Sequence, residues 1–327
     1  MILHNGEKKF YFLPEGPIAL DATNRQPCGF ISHAHGDHTA RHELIFCTPE
    51  TESLCRHRLK CKPMQQFRKL HYMQPVTLGG LKLTAYPAGH CLGSAMLLAE
   101  SLETGRTLLY TGDFKLGPSA TSVEAVVPKA DLLVIESTFG KPELRMPPRE
   151  QTIARLLDEV RQAFDDKRSP VVFAYALGKG QEVTKILTDA GFKVQQYQTV
   201  EEISRIYEQH GMMLGDFTLL KKSGMADPDR VLVVPASPNT SYRTPYPQRT
   251  FMVSGWAVQR GAEYRFGVDI ALPLSDHADY DDLLHTIKLC EPETVFPIHG
   301  APEFVDRLFD LGIDARTLDR PFQRRLF

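Results

Sequence analysis

Hydrophobic positions in the first third of the chain fall in short alternating or continuous runs: KFYFLP (9–14), IALDA (18–22), CGFIS (28–32), LIFC (44–47), VTL (76–78), LKLTAYPA (81–88), SAMLLAE (94–100) and TLLYTG (107–112). Turn residues punctuate them, so the pattern predicts short β-strands. One helix interrupts the series. Thr48 is a candidate N-cap, Pro49 a first helical residue, and Glu50 and Glu52 precede Arg56, Arg58 and Lys60, the polarity a helix dipole favours. DLLVIES (131–137) reads as a further buried strand.

From about Pro147 the period changes. Ile153, Leu156, Leu157, Val160 and Phe164 follow helical spacing, and PVVFAY, GKGQEVTKILTDAG, FKVQQY, VEEISRIYEQHG and RVLVVPAS then alternate between strand and helix. Alternation of this kind argues for a small parallel α/β unit. After a proline-rich stretch, TFMVSGW, AEYRF and DIALPL read as strands. Two helices follow, near 280–290 and 302–311, separated by the strand TVFPIHG.

With 327 residues, 42% apolar and 24% charged, the composition is that of a soluble globular protein large enough for one large domain or two ordinary ones. MILHNGEKKF lacks the apolar core of a secretory leader, and no apolar run approaches membrane-spanning length. Cys28, Cys47, Cys55, Cys61, Cys91 and Cys290 show no CxxC spacing, as expected for reduced thiols. A cytoplasmic location without membrane association is expected. The net charge of −2 hides an asymmetry, because Ser53 to Ala99 holds seven Lys or Arg and no Asp or Glu. A local positive field on an acidic background attracts a polyanion, although a solvated helix face would carry the same residues.

The densest chemistry is HAHGDH (33–38). His33 and His35 stand two apart just after a strand, where alternate side chains point the same way, and Asp37 and His38 follow across Gly36. A lone histidine is more often packed or solvated than ligating, but four nitrogen and oxygen donors at this spacing point to a metal. His90, Asp113 and His299 each follow a strand and adjoin a glycine, the placement at which α/β sheets build sites. Seven donors exceed one tetrahedral ion and suggest two metals sharing a carboxylate.

The ligand series HAHGDH, His90, Asp113 and His299, with Asp21 in IALDA, resembles that of the metallo-β-lactamase fold. Glu136 in IESTFG, His277 in LSDHAD and His299 in PIHG resemble the A, B and C motifs of its β-CASP nuclease branch. FAYALGKGQE resembles a stretch of the inserted β-CASP domain. The compact length, with PAGHCLGSA, TGDFK and SGW, is similar to the bacterial ligase-associated DNA exonuclease group. The resemblance implies an α/β fold, a metallo-β-lactamase αββα sandwich with an inserted, reduced β-CASP-type α/β cap. The metallo-β-lactamase domain would occupy 1–146 and 249–327 and the cap 147–248.

It further implies one metal held by His33, His35 and His90, another by Asp37, His38 and His299, and Asp113 between them, with Asp21 orienting a ligand histidine. The two divalent ions would be Zn2+, with Mn2+ as the alternative. His277, Glu136 and Asp37 form the expected catalytic set, with His277 the general acid and Glu136 its carboxylate partner; Ser275 or Asp276 would cap the following helix. Arg56, Arg58, Lys60, Lys62 and Lys179 are the expected nucleic-acid contacts, Lys179 because LGKGQE opens a helix where backbone N–H groups could hold a phosphate.

The function so implied is a two-metal phosphodiesterase, a DNA exonuclease of DNA repair favouring single strands, with a DNA ligase and helicase system as its associates. An RNA-processing endo- or 5′-exoribonuclease and a small-ester metallohydrolase are the alternatives, since fold alone does not decide activity. A non-catalytic binding protein would have lost ligands, whereas each expected one stands in this sequence.

Overall fold

The structure, a computed structural model, describes residues 4–5, 11–62, 64–221, 224–237 and 240–318. Two compact units result: Met1–Pro118, Ser122–Glu143 and His277–Phe327 form one, Ser119–Thr121 and Leu144–Asp276 the other.

In the first unit, β1 (His4–Asn5), β2 (Tyr11–Leu13), β3 (Ile18–Leu20), β4 (Cys28–Phe30), β5 (Leu44–Cys47) and β6 (Gln66–Lys69) form a sheet in sequence order. The first two pairings are antiparallel and the rest parallel. Helix α1 (Pro49–Arg58) starts as its sequence dictates, Thr48 Oγ1 accepting from Thr51 N with Pro49 in the first turn. β7 (Val76–Leu78), β8 (Leu81–Pro87), β9 (Ala95–Ser101), β10 (Thr107–Tyr110) and β11 (Leu132–Glu136) begin a second sheet. The expected strand KFYFLP is seen as Tyr11–Leu13; Lys9 and Phe10 lie outside the described residues.

The second unit contains α2 (Arg149–Asp165), β12 (Ser169–Ala174), α3 (Lys179–Asp189), β13 (Val194–Gln196), α4 (Gln198–Gln209), β14 (Phe217–Leu219), β15 (Val231–Pro235), β16 (Gln248–Val253), α5 (Ala262–Phe266) and β17 (Ile270–Leu272). Its sheet is parallel throughout, in the order β14-β13-β15-β12-β16-β17. Two expectations are corrected here. The cap boundary placed at residue 248 moves to Asp276, because β16 pairs with β12 and β17 with β16 inside this sheet. AEYRF is a one-turn helix rather than a strand, since Gly261 and Gly267 bracket it in the left-handed region and confine it to five residues.

The chain then returns to the first unit through α6 (Tyr280–Cys290), β18 (Thr294–Ile298) and α7 (Glu303–Asp310), and β18 completes the second sheet in the order β18-β11-β10-β9-β8-β7. Leu13, Ile18, Leu20, Phe30 and Phe46 of the first sheet meet Leu83, Leu97, Leu108, Tyr110 and Val134 of the second in one buried core. The opposite face of the second sheet, with Met96, Leu109, Leu133 and Val295, is covered by Leu283 and Ile287 of α6 and Phe304 and Leu308 of α7. On the first sheet, Ile45 and Cys47 alternate with the core-facing positions and are buried with Leu54 and Cys55 of α1. The unit is the expected αββα sandwich. All six cysteines are free thiols, and among the described residues no helix is long and apolar enough to cross a membrane.

One buried group makes stability depend on pH. His42 is fully buried, its Nδ1 accepts from Gln26 N at 3.1 Å, and its Nε2 has no hydrogen-bond partner among the described residues. Burial, against a smaller opposing pull from Asp21, pushes its pKa down from 6.5 to about 4. The unfolded imidazole therefore takes up a proton that the folded one refuses between these values. The associated stability is complete above pH 6.5 and is lost as pH falls toward 4, about 3 kcal/mol in all. Urea unfolding at pH 7 and pH 4.5 is expected to show a smaller acid loss in His42→Gln than in the parent chain.

Candidate metal centre

Strand direction gathers the polar residues at one edge of the sandwich. β10, β11 and β18 are mutually parallel, and β8 shares their direction because it is antiparallel to β9, itself antiparallel to β10. Their C-terminal ends deliver Asp113, Glu136, His299 and His90. In the first sheet the parallel β3 and β4 deliver Asp21 and His33.

Glycines make the close approach possible. A Cβ on Gly89 would lie 2.2 Å from Lys115 O, and one on Gly300 the same distance from Ser137 O. Gly112, next to Asp113, has φ +53°, and its Cβ would lie 2.5 Å from Ser32 Cβ. Gly112→Ala is accordingly expected to cost about 2 kcal/mol for its left-handed conformation and the contact together. Calorimetry and metal analysis of the purified variant should show a lower melting temperature and reduced metal retention.

Two donor clusters that could each hold an ion share one carboxylate. His33, His35, His90 and Asp113 have ligand atoms within 4.8 Å of one another, and His38, Asp113 and His299 form the other; the same carboxylate also groups with Glu136 and His277. His35 Nδ1 lies 2.9 Å from His33 Nε2 and 3.0 Å from His90 Nε2. A single ring nitrogen facing two others has at most one proton to share between them, so this convergence is a ligand geometry more than a hydrogen-bonded one. The donor set fits a divalent cation. Asp37 forms part of neither cluster: it is largely exposed, 3.9 Å from His38 Nε2.

His33 and Asp113 carry the charge states that ligation needs, whereas His38 must first give up a proton. Burial, then the neighbouring His38 and His90, holds His33 well below the usual imidazole range, so it is neutral. Burial opposes protonation of His38 as well, but Asp113 and Asp21 on its two sides outweigh this and hold its pKa well above that range. Burial likewise opposes ionisation of Asp113, yet His38 and His277 keep its carboxyl well below the usual range.

Beneath the ligands, Asp21 is a hub. Its Oδ1 accepts from Ser32 N at 2.7 Å, and its Oδ2 from Ser32 Oγ at 2.5 Å, Tyr110 Oη at 3.0 Å and His38 Nδ1 at 2.9 Å. Ser32 Oγ is also 3.0 Å from His33 Nδ1. With both Nδ1 atoms so engaged, His33 and His38 turn Nε2 toward Asp113, at 3.5 Å and 3.2 Å. Beside this cluster, His277 Nδ1 stands 3.0 Å from Glu136 Oε1, and its ring centroid is 4.7 Å from that of His90. Glu136 is fully buried and fixed by Phe114 N (2.9 Å) and Thr138 Oγ1 (2.7 Å).

Sequence reasoning missed Ser32, Tyr110 and Thr138. A signal existed for Tyr110: a hydroxyl at the end of a buried strand needs a partner. The helix after His277 is capped by Asp279, which accepts from Asp281 N and Asp282 N, rather than by Ser275 or Asp276.

The expected nucleic-acid contacts divide. Arg58, Lys60 and Lys62 are exposed, and Arg58 Nη2 lies 3.9 Å from where a Cβ on Gly36 would stand, beside the HAHGDH loop. Arg56 is committed locally, donating to Glu52 at 2.8 Å and lying over the Phe67 ring. Lys179 is a correction. Its side chain is fully buried and donates to Glu182 Oε2 at 2.5 Å, so it presents no ammonium to a polynucleotide. At the N-terminus of α3 the backbone is also occupied, since Gly178 N donates to Gln181 Oε1.

A sandwich of this topology thus carries clustered histidines and aspartates at its strand ends, the donor set of a divalent metal site. Residues 22–172 match the family described as a beta-lactamase superfamily domain, and residues 270–317 match the Zn-dependent metallo-hydrolase RNA specificity domain. Two segments of the chain are thus similar to a metallo-β-lactamase domain and to a Zn-dependent metallo-hydrolase RNA specificity domain, the pairing the β-CASP resemblance implies.

Among individual proteins, it is 36% identical over 320 residues to a probable DNA ligase of Opitutus terrae, covering 96% of this chain and 31% of that protein. It is 27% identical over 299 residues to the 5′ exonuclease Apollo of Gallus gallus, covering 88% of this chain and 62% of the relative. An RNase J-like protein of Methanocaldococcus jannaschii is 30% identical over 182 residues, 49% of this chain and 42% of that one. The chain thus spans about a third of the first relative and under two thirds of the second.

Proposed function

We propose that the protein is a two-metal phosphodiesterase that degrades DNA from an end, with single strands preferred, and that it serves DNA repair beside a ligase. The observation that carries the hydrolytic part is the pairing of His277 with the buried Glu136 next to a donor cluster that shares Asp113. His33, His35, His90 and Asp113 would hold one ion, and His38, Asp113 and His299, with Asp37 swinging in, the other. Bound there, divalent ions would supply Lewis acidity toward the phosphodiester and lower the pKa of a water.

The chain's own residues do the rest. Glu136 accepts the Nδ1 proton of His277 and favours the imidazolium, so that Nε2 can deliver a proton to the departing 3′ oxygen. Asp21 keeps the ligand imidazole of His38 oriented through Nδ1, and Ser32 does the same for His33.

Support for DNA comes from the relative named as a probable DNA ligase, and support for cutting from an end from the one named as a 5′ exonuclease. RNA is the competing substrate, supported by the match to an RNA specificity domain and by the RNase J-like relative. Digestion of end-labelled single- and double-stranded DNA and RNA, with Zn2+ or Mn2+ added and with chelator, tests the reading. Metal-dependent shortening of DNA from one end supports it; cleavage of RNA alone, or internal cuts alone, overturns the DNA exonuclease assignment.

Arg58, Lys60 and Lys62 would neutralise backbone phosphates at the mouth of the site. Each phosphate contact removed should lower the slope of log K against log salt by about 0.7–0.9. The triple alanine variant is expected to bind a single-stranded oligonucleotide more weakly and with a flatter salt dependence, measured by fluorescence anisotropy.

A further inference from the structure

Among the described residues away from the metal centre, a dense group of buried charge lies at the start of α3. Glu182 accepts from Lys179 Nζ at 2.5 Å, from Arg149 Nη2, and from Ser119 Oγ at 3.2 Å. Lys179 Nζ also stands 3.8 Å from Asp276 Oδ2. Two cations thus face two carboxylates, with Lys179 fully buried and Glu182 nearly so. Burial opposes the ionisation of Glu182, but Lys179 and Arg149 outweigh it and hold its carboxyl below the usual range.

Desolvating such a group of charges costs several kcal/mol per ion and is seldom repaid in stability over an apolar packing of equal volume. What this group touches suggests another use. Asp276 immediately precedes His277, and it does not cap α6, because Asp279 does. On the other side of His277, Ala278 N donates to Phe114 O at 2.6 Å, and Phe114 N donates to Glu136, the partner of His277. The peptide carrying His277 is therefore pinned through Ala278 on one side and reaches Lys179 through Asp276 on the other.

We propose that Lys179 and Glu182 are positioning residues for His277: their buried ion pair fixes the Asp276 carboxylate, and Asp276 fixes the backbone from which the His277 ring projects. The inference rests on the nuclease reading above. Lys179 has no contact with substrate in this scheme and acts only through Asp276.

The test uses the full chain loaded with metal, comparing Lys179→Met, Lys179→Arg and Asp276→Asn with the parent. Steady-state cleavage of a labelled single-stranded oligonucleotide is read together with amide exchange at Ala278, metal content and melting temperature. Lys179→Met and Asp276→Asn are expected to lower kcat at least tenfold, with KM within twofold and metal content unchanged. The Ala278 amide should exchange at least tenfold faster, and Lys179→Arg should recover part of both losses.

Should Lys179→Met fail to fold, Asp276→Asn decides, because it leaves the Lys179–Glu182 pair intact. Parental kcat and parental Ala278 exchange in a folded variant overturn the proposal. So does faster exchange throughout α3 with no excess at Ala278, which marks a cluster that merely stabilises its own unit. If the parent cleaves neither DNA nor RNA, the nuclease reading falls, while the Ala278 comparison still decides the positioning role.

Discussion

His277→Ala lowers turnover of a phosphodiester by about 10²–10⁴-fold, the range for loss of a positioned general acid, and leaves bound metal unchanged. The expectation follows from where the ring stands. Its Nδ1 is engaged by Glu136, a carboxylate with no solvent exposure that is itself held by Phe114 N and Thr138 Oγ1. His277 is not among the donors of the His33–His35–His90–Asp113 or His38–Asp113–His299 cluster, although it also groups with Asp113 and Glu136 and with His90 and Asp276, so the metal count of the variant separates a proton donor from a ligand. Single-turnover cleavage with metal analysis of the same sample checks both halves. Parental turnover would remove His277 from the mechanism, and loss of metal would make it a ligand instead. A substrate with a better leaving group than a 3′ alkoxide should be cleaved with a much smaller deficit, because such a group needs no proton.

Asp113→Asn is expected to do more damage by a different route. Asp113 is common to the His33–His35–His90 cluster, the His38–His299 cluster and the Glu136–His277 group. It is buried, yet His38 and His277 keep it ionised. An amide offers one neutral oxygen in its place and leaves buried imidazoles without their counter-charge. Metal content should fall toward one ion or none per chain, and turnover by at least about 10²–10³-fold, the loss typical for removing one electrostatic stabiliser. Mass-spectrometric metal counting beside an activity assay measures both. Full metal content in the variant would show that Asp113 is not shared.

Most of the candidate centre was legible in the sequence because its logic is local. Each of His90, Asp113 and His299 adjoins a glycine at the end of a strand, and the structure supplies the reason, since a Cβ on Gly89, Gly112 or Gly300 would strike a neighbouring segment. Helix α1 was equally readable, since Thr48 and Pro49 act within one turn. Features that depend on distant partners were not. Lys179 at a helix start looks like an anion site until Glu182, one turn later and buried with it, takes the ammonium. The cap boundary was misplaced because the pairing of β16 with β12 joins residues far apart in the chain. AEYRF looked extended because aromatic residues favour strands, whereas two left-handed glycines decide the outcome. The polar strand β6, QFRK, carries no apolar alternation to betray it.

The Asp21 hub has a consequence for how the protein acquires its ions. Ser32, Tyr110 and His38 all converge on one carboxylate that needs no cation to hold them. The ligand imidazoles are thus oriented by the polypeptide itself, and metal capture need not be coupled to folding as it is in small zinc domains, although His38 must release a proton on binding. The metal-free chain is therefore expected to melt cooperatively, and added divalent ion to bind without a folding step, in melting curves and circular dichroism of chelator-treated protein.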